Sequence, residues 1–331
     1  MSLASDHAVD TAAARSAESS EIAGRSLTQI AWSRIRRDKV AIVSMTVVLV
    51  IVAIAVLAPV ITRLVGVDPT SFNPKAIDNA GGLPRGSYGG ISLEHPLGVE
   101  PGTGRDLFAR LLYGSRLSLL IALSATMITV TVGVTVGIIA GYSRGVVDTA
   151  LGRLMDLILA FPLVLILLAL SNVMTQRLET TFHLGQVSAR VLYLILVLSL
   201  FGWPYLARIV RGQVLSLRER EFVESAVSMG AGTPRILFRE ILPNLWAPIL
   251  VYSTLLLPTY IAAEAALSFL GVGLVPPTPS WGAMLADSVR YFTVDPAFLF
   301  IPGTYLFIVV LAFNLLGDSV RDALDPRAGR A

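Results

Sequence analysis

Apolar residues run through this chain in six long blocks separated by polar connections. The first, Val40–Thr62, carries no charge and exceeds the roughly 20 residues that a helix needs to cross a ~30 Å hydrocarbon core. Further blocks follow at Leu117–Tyr142, Thr149–Val173, Val191–Ala207, Leu245–Gly271 and Ala297–Leu316. The pattern predicts an all-α integral membrane protein with six transmembrane helices and both ends on one side. Between the fourth and fifth blocks lies a charged island, Glu219–Pro243, reading EREFVESAVSMGAGTPRILFREILP.

Inside the island, Glu219, Arg220, Glu221 and Glu224 alternate with Phe222, Val223, Ala226, Val227 and Met229 as on a short helix that is charged on one side and apolar on the other. Gly230 and Gly232 stop that helix, and Pro234 opens a second run through Ile236, Leu237, Phe238 and Ile241 to Pro243. The expectation is two short helices joined by a glycine turn. They either project from the membrane towards a partner or lie flat on the lipid surface as an amphipathic pair.

Elsewhere the polar pattern divides the chain. Residues 1–27 are rich in Ala, Ser and acidic side chains without an apolar face, the composition of a disordered tail. Residues 28–39 form a basic, partly amphipathic approach to the first span, residues 40–62. A long connection over 63–116, punctuated by Gly81, Gly82, Pro84, Gly86, Gly89, Gly90, Pro96, Pro101 and Gly102, regains helical periodicity from Asp106 to Leu120, which suggests an interfacial helix. Residues 117–320 form the core, and 321–331 a short polar tail.

Three features inside the blocks are candidates for function. Gly133, Gly137 and Gly141 share one helical face at four-residue spacing, which permits close helix approach in lipid; packing within one subunit is favoured over a contact between subunits. Asp156 and Glu264 are carboxylates within predicted spans, where charge is costly enough to suggest function. Each has two readings. Asp156 is a pathway or inter-subunit group, or it pairs with Arg153. Glu264 faces a pathway, or bonds Ser268 one turn on or the opposing subunit.

Composition narrows the class. Of the 331 residues, 54% are hydrophobic and 15% charged, against about 25% charged in soluble domains. The net charge of +3 reflects basic residues beside the spans, a lipid-orienting pattern that does not indicate nucleic acid. Arg208, Arg211, Arg218, Arg220, Arg235 and Arg239 surround the island, whereas the loop before the last span holds only Arg290, so the positive-inside rule puts the island and both termini in the cytoplasm. No short apolar leader precedes the first span, so the N-terminus is expected to be retained. There is no Cys, which excludes disulfide and thiol chemistry. The lysines, Lys39 and Lys75, lie in no phosphate-binding loop, so ATP hydrolysis of the Walker type is excluded for this chain alone. His7, His95 and His183 are too scattered for a zinc site, and no G-x-S-x-G elbow is present.

The run Glu224-Ser225-Ala226, Gly230 and Leu242-Pro243 resembles the EAA loop of the membrane subunits of bacterial ABC importers, with Ser225 where that family has Ala and Glu240 where it prefers an aliphatic residue. HPLGVEPGTGRDLFARLLYGSRLSL (from His95), AEAALSFLGVGLVPPTPSWG (from Ala263) and LAFNLLGDSVRDALDPR (from Leu311) are similar to the dipeptide, oligopeptide and nickel permeases, specifically the second of their paired membrane subunits. The resemblance implies a type I importer-like fold. It also implies that Glu221, Glu224, Ser225, Ala226, Met229, Gly230, Leu242 and Pro243 couple the chain to an ATPase subunit. Implied partners are a homologous permease in a heterodimer, two ATPase subunits, an extracytoplasmic binding protein, membrane lipid and a peptide substrate. ATP and Mg would be held by the ATPase subunits, with no cofactor or metal on this chain. The alternatives are nickel import and an ATPase-independent secondary transporter.

Overall fold

The computed structural model describes residues 27–78 and 81–324. The tail expected over 1–27 lies outside the described residues except for Leu27, and so does the C-terminal tail beyond Leu324. Among the described residues there is no β-strand, and six helices are long and apolar enough to cross a membrane.

A short helix, α1 (Leu27–Ile35), precedes α2 (Lys39–Val65). Asp38 caps α2 by accepting the Val40 N–H at 2.9 Å, and Gly66, at φ +80°, ends it. Ala41, Ser44, Val48, Ile51, Ala55, Ala58 and Thr62 form the buried stripe of α2, at alternating three- and four-residue steps, while Val43, Val56 and Leu64 face outward. That stripe packs on α3 (Leu107–Tyr142) and α10 (Ala297–Leu324). A polar clasp closes the same end of the bundle: Ser319 donates to Asp38 Oδ2 at 3.1 Å, and Arg34 donates to the Ala323 carbonyl at 3.3 Å.

Helix α3 starts at Asp106, whose Oδ1 accepts the Ala109 N–H at 2.7 Å while Oδ2 meets His95 Nδ1 at 2.8 Å. The interfacial helix expected near Asp106–Leu120 is therefore the first part of the second span. The main packing of the bundle is α3 against α6 (Gln186–Leu217).

The third block departs from expectation. Thr149–Val173 is not one helix: it divides into α4 (Val146–Ala160) and α5 (Leu163–Phe182), of which only α5 qualifies as a span. Phe161, placed before Pro162, is held extended at φ −81°, ψ 133°, where helix cannot continue. Asp156 thus belongs to α4 and is absent from the span. It accepts Arg208 Nη2 at 2.6 Å, and Asp148 receives both Nε and Nη2 of Arg211, at 2.6 and 2.9 Å. Asp156 pairs with Arg208, not Arg153. The Arg211 hydrogen bond holds the Asp148 carboxyl below its ordinary value.

Two loops fill the opposite end. Residues 66–78 and 81–106 fold through antiparallel bridges at Ile77–Pro84 and Val99–Asp106. The second loop carries α9 (Trp281–Ser288), capped by Ser280, with Trp281 fully buried beside Tyr305. Arg110, completely enclosed at the base of α3, ties the loops together by donating to the carbonyls of Pro69 and Pro277 at 3.2 and 3.1 Å. Glu100 Oε2 lies 3.6 Å from Arg105 and 3.7 Å from Arg110.

Candidate functional site

The charged island forms a projection at the end of the bundle that also holds the Asp38 clasp. Its support begins in α6, which runs past the expected end at Ala207 to Leu217; Arg218 then donates to the Gly141 carbonyl at 3.0 Å and fixes the chain beside the end of α3. The short helix α7 (Glu221–Ser228) follows.

One face of α7 is buried. Val223 and Ala226 are buried, and Val223 joins a cluster with Ile236, Ile241 and Leu245, together with Leu206, Val210 and Val214 of α6. Glu221, Phe222, Glu224, Ser225, Val227 and Met229 are exposed. A helix of this length is marginal alone, and this apolar contact holds it in place. Its C-terminus closes as a Schellman turn: Gly230 N–H donates to the Val227 carbonyl at 2.9 Å and Ala231 N–H to the Ala226 carbonyl at 3.0 Å.

Gly230 sits at φ +79°, and no atom lies within 4 Å of the place a Cβ would take, so its requirement is conformational, not steric. Gly230→Ala is expected to destabilise this turn by about 1 kcal/mol and Gly230→Asn by less. Comparing the melting temperatures of the two variants in one purified preparation checks this; equal melting would show that the turn is not the constraint.

The second half of the island corrects the expected pair of short helices. From Thr233 the chain is helical without interruption to Phe269, forming α8, with a π-helical stretch at Ile236–Ile241. Leu242 and Pro243 lie within this rod, Leu242 half-buried and Pro243 exposed. Glu240 is half-buried, and its carbonyl accepts Asn244 Nδ2 at 2.6 Å. α7 is consequently stapled to the first turns of a spanning helix.

The exposed side of the projection mixes charge and bulk. Met229 is 80% exposed, Phe238 68% and Val227 53%, flanked by Glu221 and Glu224. A cleft of about 600 Å³ separates Glu219 and the α7 face bearing Glu224 and Ser228 from Arg144 and Arg218. An apolar knob within a charged rim suits docking against another protein. The bulk of Phe238 was not among the sequence-derived candidates, although its place on the outer side of the run from Pro234 could have been read from periodicity.

The remaining candidates lie elsewhere. Glu264, near the far end of α8, is fully buried and accepts Ser118 Oγ of α3 at 2.7 Å and Ser268 Oγ at 2.8 Å. Asp156 is on α4. Gly133, Gly137 and Gly141 face α6, where Leu206, Ala207, Val210, Arg211 and Val214 fill the space that side chains would need. The structure therefore groups Glu221–Pro243 in one projection and separates it from Glu264 by nearly the full length of α8.

Comparison with known proteins follows this geometry. Residues 133–330 match the family described as binding-protein-dependent transport system inner membrane component, and residues 26–81 match the N-terminal TM domain of oligopeptide transport permease C. A dipeptide transport system permease protein of Alkalihalophilus pseudofirmus is 36% identical, covering 90% of this chain and 89% of the relative. An oligopeptide transport system permease protein of Bacillus subtilis is 34% identical over 96% of both. A glutathione transport system permease protein of Pectobacterium atrosepticum is 36% identical over 89% of this chain and 90% of the relative. Among solved structures, the inward-facing MetNI methionine ABC transporter aligns with a TM-score of 0.51 and 18% identity, over 65% of this chain and 96% of that one.

Proposed function

The chain belongs to the family of binding-protein-dependent transport system inner membrane components, and from that premise we propose that it is a permease subunit of an ATP-driven importer of di- and oligopeptides. It is a multi-pass inner membrane protein. A second, homologous permease completes the pathway, an extracytoplasmic binding protein delivers peptide, and two ATPase subunits holding ATP and Mg dock on the projection. The chain carries no ATPase site of its own, and the projection and both termini are cytoplasmic. The relatives above are named for dipeptide, oligopeptide and glutathione transport, so the nickel alternative is not needed.

The observation that carries the coupling role is the union of α7 with α8. α7 presents Met229 outward while Val223 packs with Ile236 and Ile241. A push on α7 enters a continuous helix that, at 1.5 Å per residue, is roughly 55 Å long. Pro248 and Pro258 within α8, and Pro204 within α6, remove backbone hydrogen bonds and supply bending points. ATPase closure would thereby re-aim the spans around the pathway.

The test is reconstitution. Proteoliposomes containing this permease, its partner permease and the ATPases should take up peptide only with ATP inside the cytoplasmic compartment and binding protein outside. Uptake by this chain alone, driven by an ion gradient, would overturn the reading.

Glu264 is assigned a positioning role in this scheme, since it is fully buried, with Oε2 bonded to Ser118 of α3 and Oε1 to Ser268 of its own helix. Glu264→Gln is expected to cost about 1–3 kcal/mol, because an amide N–H₂ replaces one acceptor between hydroxyl groups. Peptide uptake per folded complex should stay within about twofold of wild type. Normal melting with deficient uptake would instead make it a pathway group.

A further inference from the structure

At the loop-bearing end of the bundle, opposite the projection, a pocket of about 640 Å³ opens between the 66–106 loop and the start of α10. Leu83, Tyr88, Ile91, Val294, Phe300 and Ile301 give it an apolar and aromatic lining, and it contains one carboxylate, that of Asp295. Asp295 is only 6% exposed. Its Oδ2 is enclosed and has no hydrogen-bond partner, and among the described residues no cation forms an ion pair with it. Burial pushes this carboxyl above its ordinary value, while the N–H groups of Ala297 and Phe298 pull it back. The start of α10 thus accounts for part of the carboxylate's partners and leaves the other oxygen unserved. Such a group costs stability unless something meets it.

The wall facing the carboxylate is backbone without a side chain. Gly89 lies at φ +74°, and a Cβ there would stand 3.4 Å from both Asp295 oxygens and 3.3 Å from the Ala297 methyl. Tyr88, a non-glycine residue, holds the left-handed conformation at φ +54° beside it. Of the lining residues, Tyr88 and Ile91 are exposed, and Leu93 follows them exposed on the same loop, which suits the headgroup zone better than water. Directly below, Phe300, Thr304, Phe307, Ile308 and Leu311 form an exposed stripe along α10.

We propose that this pocket binds the primary ammonium of an aminophospholipid, with Asp295 as its counter-charge and the acyl chains lying along the α10 stripe. An ammonium supplies the N–H donors that Oδ2 lacks, and its charge offsets that of the carboxylate. The stripe continues from the pocket into the hydrocarbon region, so a cation tethered to an acyl chain satisfies both features at once. A lysine from a partner protein would use the carboxylate and leave the stripe unexplained.

The membrane complex containing this chain, placed in nanodiscs of phosphatidylethanolamine and phosphatidylglycerol, tests this by native mass spectrometry of the retained lipid. The wild type should retain phosphatidylethanolamine about tenfold over phosphatidylglycerol, and Asp295→Asn should bring that ratio to within about twofold of unity. Equal retention of the two lipids by the wild type, or an undiminished preference in Asp295→Asn, would overturn the assignment. So would weakened association with the external binding protein when lipid retention is unchanged, because the cation would then be a protein side chain. Should Asp295→Asn fail to assemble, titrating phosphatidylethanolamine into phosphatidylglycerol nanodiscs of the wild type gives the answer. A saturable rise in melting temperature, not produced by phosphatidylmethanol, supports the site, and identical behaviour of the two lipids removes it.

Discussion

Met229→Asp leaves the chain folded and abolishes nearly all ATP-dependent peptide uptake. Met229 is the most exposed large apolar side chain of the projection, at the C-cap of α7 and outside the cluster that holds α7 to α8. A surface charge there changes stability by no more than about 0.5 kcal/mol. In a docked interface the same charge would be desolvated against an apolar surface, and central apolar anchors of this kind contribute about 2 kcal/mol or more. That corresponds to an affinity loss of roughly thirtyfold or greater. Recovery of ATPase subunits with the purified permease and the uptake rate should fall together, while the melting temperature stays within a few degrees. Ala226→Asp is the contrast, since Ala226 lies on the buried face of α7 and a charge there detaches α7 itself. Full uptake by Met229→Asp would remove the projection as the docking element.

Gly137→Val prevents the bundle from assembling. A Cβ at Gly137 would lie 2.7 Å from the Ala207 carbonyl oxygen and 2.7 Å from Val210 Cβ. Neither is the tip of a flexible side chain, so the helices must separate. Overpacking costs about 1–3 kcal/mol for a tolerable insertion, and a branched side chain against backbone should exceed that range. Gly212→Val on α6 serves as the control, because nothing lies within 4 Å of its Cβ position. Yield of protease-resistant protein in membranes should collapse for Gly137→Val and stay near wild type for Gly212→Val. Similar yields for the two would show that the α3–α6 contact is not the constraint.

Hydropathy made the six spans readable because each must present about 20 apolar residues to lipid whatever it packs against. It failed at Thr149–Val173, where apolar character continues across a backbone break. The signals there were local: Pro162 restricts Phe161 to extended geometry, and Asp148, Arg153 and Asp156 give the first half an amphipathic face. The partners of those carboxylates are Arg208 and Arg211, which no local rule selects. Glu264 shows the same division. Ser268, one helical turn away, is legible from spacing, whereas Ser118 lies 146 residues earlier and is brought in only by packing. In the projection, the amphipathic pattern and Gly230 were sufficient to place α7. The continuity of the second run with α8 was hidden, because Leu242-Pro243 reads as a stop, whereas the helix passes through Pro243 directly after the π-helical stretch Ile236–Ile241.

The clasp between the ends of α2 and α10 sets an order on biogenesis. Asp38 and Ser319 are 281 positions apart, and Arg34 and Ala323 are 289 apart. The small, partly polar stripe of α2 can find half of its seat on α3 early in synthesis, but the other half does not exist until α10 has left the ribosome. Throughout elongation the first span therefore waits in the bilayer with one flank uncovered, and the last span to be made completes the subunit.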